Sequence, residues 1–175
     1  MIRALILVAV VLFSPGTPVD DPRWIAHGAE VLAPFKQSLQ AELQQGLSEG
    51  PRNAIEVCRI KAPELAAAAG SESVRIGRTS HKVRNPANAP EDWMKPLLEH
   101  YRSTPKDRAP KIVALGEGRI GYVEPIYVQW KCLICHGESI APAIEDSLHE
   151  MYPQDQATGF REGDFRGLFW VEFSN

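Results

Sequence analysis

Cysteine is scarce in this chain: Cys58, Cys132 and Cys135 are the only three in 175 residues. So small and odd a number excludes a disulfide framework of the kind that staples small secreted domains. Long apolar runs are also missing. The stretch from Ala4 to Phe13 is ten residues, well short of the roughly 20 that span a bilayer. Charge of one sign is not concentrated anywhere. The 19 Lys and Arg are dispersed among 22 Asp and Glu, for a net charge of −3, and the pI is about 6.0. This balance gives no electrostatic reason to expect a nucleic acid or an anionic membrane surface as partner. Internal repeats and low-complexity tracts are absent, which excludes solenoid and fibrous architectures.

Arg3 followed by the apolar run Ala4 to Phe13 reads as an export signal, closed by the breaker sequence Ser14-Pro15-Gly16-Thr17-Pro18. No Ala-x-Ala site marks a cleavage point, so residues 1–18 are read as a signal peptide or a short N-terminal anchor. A periplasmic or otherwise extracytoplasmic location is expected, with no membrane span in the mature chain. Residues 19–175, roughly 155 in number, suit one domain with its own core.

What the chain does have is Cys132-Leu133-Ile134-Cys135-His136. Two thiols spaced by two residues, with a histidine directly after, form the attachment pattern for c-type haem. The sulfurs can add to the two vinyl groups of one porphyrin edge, and His136 is then turned towards the iron as proximal ligand. The pattern occurs once, so one covalently attached haem c is expected, and with it haem attachment machinery outside the cytoplasm. A structural zinc site would need four Cys or His ligands, and no second pair stands at ligand spacing. A thiol-disulfide exchange motif would need a thioredoxin-like βαβ context, whereas the Pro-broken segment Glu124 to Trp130 precedes this pair.

Apolar residues at Ile25, Leu32, Leu39, Leu43 and Leu47 predict an amphipathic helix from Trp24 to Leu47, bent at Pro34. Gly50-Pro51 breaks it. A second helix is expected from Asn53 to Ala69, carrying Cys58 on its apolar stripe. Val74 to Thr79 alternates as a strand, and Asn85 to Pro90 is too rich in proline for regular structure. Glu91 to Tyr101 returns to helical spacing. Lys111 to Leu115 and Arg119 to Val128 flank Gly116-Glu117-Gly118 as a hairpin, Ala141 to Met151 reads as a short helix, and Gly167 to Phe173 closes the chain as a strand. Helices first and strands afterwards argue for an α+β domain, an antiparallel sheet with the long helices packed to one side and the haem site on its flank.

With two cysteines taken by haem, Cys58 has no internal disulfide partner. It is a buried small hydrophobe, half of an intermolecular disulfide, or the second axial ligand of the iron. For that ligand position His27, His81, His100, His149, Met94 and Met151 compete with it.

Several runs in one order, Cys58 to Pro63, Gly77 to Pro90, Cys132 to Gly137, Tyr152 to Phe160 and Gly163 to Gly167, resemble a bacterial family of single-haem c-type cytochromes. That family is long catalogued as a domain of unknown function and has a PAS-like fold. The resemblance covers about Trp24 to Phe173. It implies a PAS-like antiparallel sheet, His136 as proximal ligand and Cys58 as distal ligand, so that the metal is held by His136 and Cys58 and the cofactor-binding set includes Cys132 and Cys135. It also implies use as an extracytoplasmic sensing module.

Arg78 and Arg84 lie in the family-like segment and are the expected partners of the haem propionates, for which Arg offers a bidentate fork. Gly159, Gly163, Gly167, Tyr152-Pro153 and Asp164 read as turn chemistry. Trp93, Tyr122, Tyr127 and Trp130 are expected as core or cavity walls. A thiolate ligand favours ferric iron, so a low potential follows. Release of Cys58 on reduction would open a position for a diatomic gas. The expected role is redox or gas sensing with a separate redox or signalling protein partner, since no kinase or cyclase sequence occurs up to Asn175. A periplasmic electron carrier is the alternative. A haem peroxidase is a third reading, for which no distal acid and base stand out, and no enzymatic activity is assigned.

Overall fold

The computed structural model describes residues 17–19 and 21–174. The segment read as an export signal lies outside the described residues except for Thr17 and Pro18. These two form a short strand, β1 (Thr17–Pro18), along the sheet edge.

Helix α1 (Pro22–Ser48) begins where the sequence supplies both a cap and a starter. The Asp21 carboxylate accepts from the Arg23 backbone N–H at 3.0 Å, and Pro22 sits in the first turn, where no N–H is needed. The helix runs unbroken through Pro34. After Gly50, whose φ of 116° only glycine adopts readily, the chain enters α2 (Pro51–Glu56), a π turn (Val57–Lys61) and α3 (Ala62–Ala69) without a break. The sequence pattern reads this stretch as one uniform helix. The π turn carries Cys58.

The remaining elements are β2 (Val74–Thr79), α4 (Lys95–Ser103), β3 (Lys111–Gly116), β4 (Arg119–Tyr127), α5 (Leu133–His136), α6 (Pro142–Met151) and β5 (Phe165–Phe173). The strands form one antiparallel sheet in the order β1-β3-β4-β5-β2. The last strand is inserted between two earlier ones, pairing Val74 to Thr79 on one side and Ile120 to Tyr127 on the other.

Side-chain alternation along the strands feeds two cores. On one face Leu32, Phe35 and Leu39 of α1 and Ala62 of α3 cover Ile76, Ile112, Tyr122, Val171 and Phe173. On the other, Leu97, Leu98 and Tyr101 of α4 cover Val113, Leu115, Val123 and Leu168. The domain is therefore α+β, with the N-terminal helices on one side of an antiparallel sheet, as the order of elements implies, and α4 closing the opposite side. Helix α1 approaches the sheet closely because Gly28 has no side chain. A Cβ there would stand 2.3 Å from the Tyr122 ring.

Candidate functional site

Beyond the end of β4 the chain turns through Trp130–Cys132 into α5, a four-residue helix too short to persist by itself. A neighbouring loop holds it. The Phe160 N–H donates to the His136 carbonyl and the Gly159 N–H to the Gly137 carbonyl, both at 2.9 Å. Gly137 permits this closure, since a Cβ there would meet the Leu133 carbonyl oxygen at 2.6 Å.

The same loop orients the imidazole. His136 Nδ1 lies 2.6 Å from the Ala157 carbonyl oxygen, an acceptor only, so Nδ1 carries the proton and Nε2 keeps its lone pair for a metal. Burial, then the charges of Arg166, Arg84 and Arg78, push the pKa of His136 well below the usual histidine value. The ring is neutral.

Arg84 ties this arrangement to the sheet. Its Nε donates to Asp155 Oδ2 at 2.9 Å, and Nη2 donates to the Cys135 carbonyl at 2.5 Å and the Ala157 carbonyl at 3.3 Å. Asp155 in turn accepts the Ala157 N–H at 2.7 Å. This pair is secluded, with side chains 10% and 9% exposed. Arg84, an expected propionate partner, is here a clamp on the backbone that carries Cys135 and faces His136.

The cysteines converge. All three are half-buried thiols. Burial raises the pKa of Cys135, Arg84 lowers it, and Cys58, Asp155 and Cys132 each raise it. Cys58 therefore stands within electrostatic reach of the pair it was predicted to face, although 77 residues separate it from Cys135 (135 minus 58). It also acts on the Tyr152 hydroxyl, whose pKa is pushed up to about 12 chiefly by burial. A π turn widens the helix by one residue and is frequent at functional sites, and here it carries the one cysteine that is not in the pair. Cavities of about 540 and 230 Å³ open beside this turn, one lined by Ala62, Pro63, Arg78 and Met94, the other by Arg59, Pro86, Met151 and Tyr152.

Of the competing ligands, His27 stacks on Phe173 at 4.9 Å, His81 on Phe165 at 5.8 Å, and His100 bonds Asp107 at 2.7 Å. His149 is exposed and Met94 is buried. Met151 packs in the cluster that includes Cys135 and Tyr152.

Two contributors escaped the sequence reading. Ala157 acts through its carbonyl, which no side-chain pattern reveals. Arg166 is the charge that acts most strongly on His136 and lies on the strand that follows the loop. The run Gly163 to Gly167 contains it, so the signal was present but was read as a turn. Of the aromatics expected as core or cavity walls, Trp130 is 70% exposed and so outside the core, while Tyr122 is buried and Trp93 and Tyr127 pack on the α4 core.

The donor set fits a haem: Cys135 on the short helix, Cys132 in the turn that leads into it, an imidazole with Nε2 available, and Cys58 within electrostatic reach. Residues 24–174 match the model of a family described as Tll0287-like. The fold is similar to the crystal structure of the cyanobacterial heme-protein Tll0287, with a TM-score of 0.61 at 24% identity, covering 86% of this chain and 94% of that one. No curated protein matches.

Proposed function

As the chain belongs to the Tll0287-like family, we propose that it is an exported single-haem c-type cytochrome in which Cys132 and Cys135 tether the haem. His136 Nε2 and the Cys58 thiolate ligate its iron. The observation that carries this reading is the packing of Cys135 on the cluster that contains Ile55 of α2, three residues before Cys58 on its π turn. Bound haem would supply an iron that exchanges one electron and takes a diatomic gas when a position opens. Ala157 holds the His136 tautomer, Arg84 holds the helix, and Cys58 on a locally widened helix has room to leave. A ligand set that changes with oxidation state suits redox or gas sensing in the periplasm, passed to a separate protein partner, in a PAS-like domain.

The test is the optical spectrum of the purified protein, ferric and ferrous, with and without CO, beside Cys58→Ala. The substitution is expected to abolish the thiolate-ligated ferric spectrum and to raise the potential. An unchanged spectrum and potential would remove Cys58 from the ligand set.

A second reading, a periplasmic electron carrier, draws support from Trp130 and Ile134, 70% and 39% exposed beside the haem cysteines. Exposed apolar side chains of this kind suit brief docking of a redox partner. Rapid redox cycling with no ligand loss and no CO binding would favour it.

A further inference from the structure

The positive charge gathered behind His136 is out of balance. Arg84, Arg78 and Asp155 all act on the Arg166 guanidinium, and the Lys82 ammonium lies over the same Phe160 ring, at 5.0 Å, so four cations share a half-buried region with one carboxylate. Arg84 takes that carboxylate. Arg166 has only neutral acceptors, with Nη1 donating to Ser80 Oγ at 2.7 Å and to the Lys82 carbonyl at 3.1 Å, and it lies over the Phe160 ring at 5.2 Å. Arg78 takes part in none of the side-chain hydrogen bonds or ion pairs formed among the described residues.

Secluding a guanidinium without an anion is costly, and placing a second one within its reach adds repulsion. Burial and its two arginine neighbours push the pKa of Arg166 down to about 10. Such a cluster is stable when a ligand brings negative charge into it. A haem carries two propionate carboxylates, and two of the three arginines lack a carboxylate partner here.

Resting on the haem reading above, we propose that Arg166 and Arg78, rather than Arg84, are the counter-charges for the haem propionates, and that they hold the iron's potential up against its thiolate ligand. Arg166 does this from inside the site, anchored by Ser80 and the Lys82 carbonyl. Arg78 does it from β2, the strand paired with the one that carries Arg166. Neither residue would touch the iron. Both act through charge, which destabilises the ferric state relative to the ferrous one.

The experiment measures covalent haem content and midpoint potential for the holoprotein and its Arg166→Gln, Arg166→Lys and Arg78→Gln variants. Both glutamine variants are expected to keep covalent haem and to shift the one-electron equilibrium about tenfold towards ferric, about 59 mV. Arg166→Lys keeps the charge and should stay near wild type. If Arg166→Gln fails to fold, Arg78→Gln and Arg166→Lys decide the matter, since Arg78 anchors nothing among the described residues. Haem-loaded glutamine variants with an unchanged potential would overturn the assignment alone, as would Arg166→Lys falling as far as Arg166→Gln. A wild-type chain without covalent haem would overturn the haem reading and this assignment with it.

Discussion

His136 Nδ1 donates to the carbonyl oxygen of Ala157 at 2.6 Å, a bond between a short helix and a loop 21 residues further on. It joins the fold to the chemistry. The loop exists because β5 must return to the centre of the sheet, and on its way it fixes which nitrogen of His136 faces outward. Arg84, from the segment after β2, bonds the carbonyls of both Cys135 and Ala157 and so holds the two pieces in register.

Acid should weaken the haem-free fold in a specific window. The folded-state pKa values of His136 and His81 are both depressed, by burial first and by nearby arginines second. Below the unfolded value of about 6.5 the unfolded chain binds protons that the folded chain refuses, so stability is complete above that pH and falls as the pH drops beneath it. The urea midpoint of the haem-free chain should decline between about pH 7 and about pH 5, before most carboxylates titrate. His136→Gln should flatten the decline. An equally steep decline in that variant would assign the effect elsewhere.

Gly28→Ala tests how α1 meets the sheet. Its Cβ would overlap the Tyr122 ring, and Tyr122 is 1% exposed with its hydroxyl bonded to Glu124, so the ring has nowhere to move. Overpacking of this kind costs about 1–3 kcal/mol, and each kcal/mol lowers Tm by about 2–4 °C in a domain of this size. A Tm unchanged in Gly28→Ala would mean that α1 is free to slide.

The legibility of this chain follows the range of the forces involved. Val74–Thr79 and the hairpin around Gly116-Glu117-Gly118 were readable because alternation and turn residues are local. Glu117 indeed takes a φ of 53° between two positive-φ glycines. The π turn at Val57–Lys61 is not readable, since Ile55, Cys58, Ala62, Leu65 and Ala69 keep the three- and four-residue spacing of a regular α-helix. Cys132, Cys135 and His136 announced themselves by spacing. Cys58 did so through its lack of a partner and its family-like setting. The clamp made by Arg84 is not legible, because its partners are two backbone carbonyls and an Asp 71 residues away. Trp130 stands outside the core although an aromatic residue beside a strand ordinarily faces one, because the chain has already left the sheet at Tyr127.

Trp130→Ala checks directly that this side chain lies outside the core. A side chain 70% exposed contributes little to folding, and surface substitutions usually stay within about 0.5 kcal/mol. Thermal unfolding should be unchanged within about 2 °C. A large drop would return Trp130 to the core.

Arg84 and Asp155 should be energetically coupled well beyond a surface ion pair. Both side chains are secluded, and Asp155→Ala leaves the Arg84 guanidinium with carbonyl acceptors but no countercharge. Breaking one partner of a buried pair costs about 3–5 kcal/mol. Arg84→Met alone removes the donor to the Cys135 carbonyl and leaves the Asp155 carboxylate stranded, so it should be comparably damaging. The double variant strands neither charge and should lose less than the sum of the two, with a coupling of about 0.5–3 kcal/mol in a denaturant double-mutant cycle. Additivity within about 0.5 kcal/mol would show that Arg84 acts on the two carbonyls independently of Asp155. Covalent haem yield in the same three variants should follow stability, because the bond from Arg84 to the Cys135 carbonyl positions the short helix that presents Cys135 and His136 directly after Cys132.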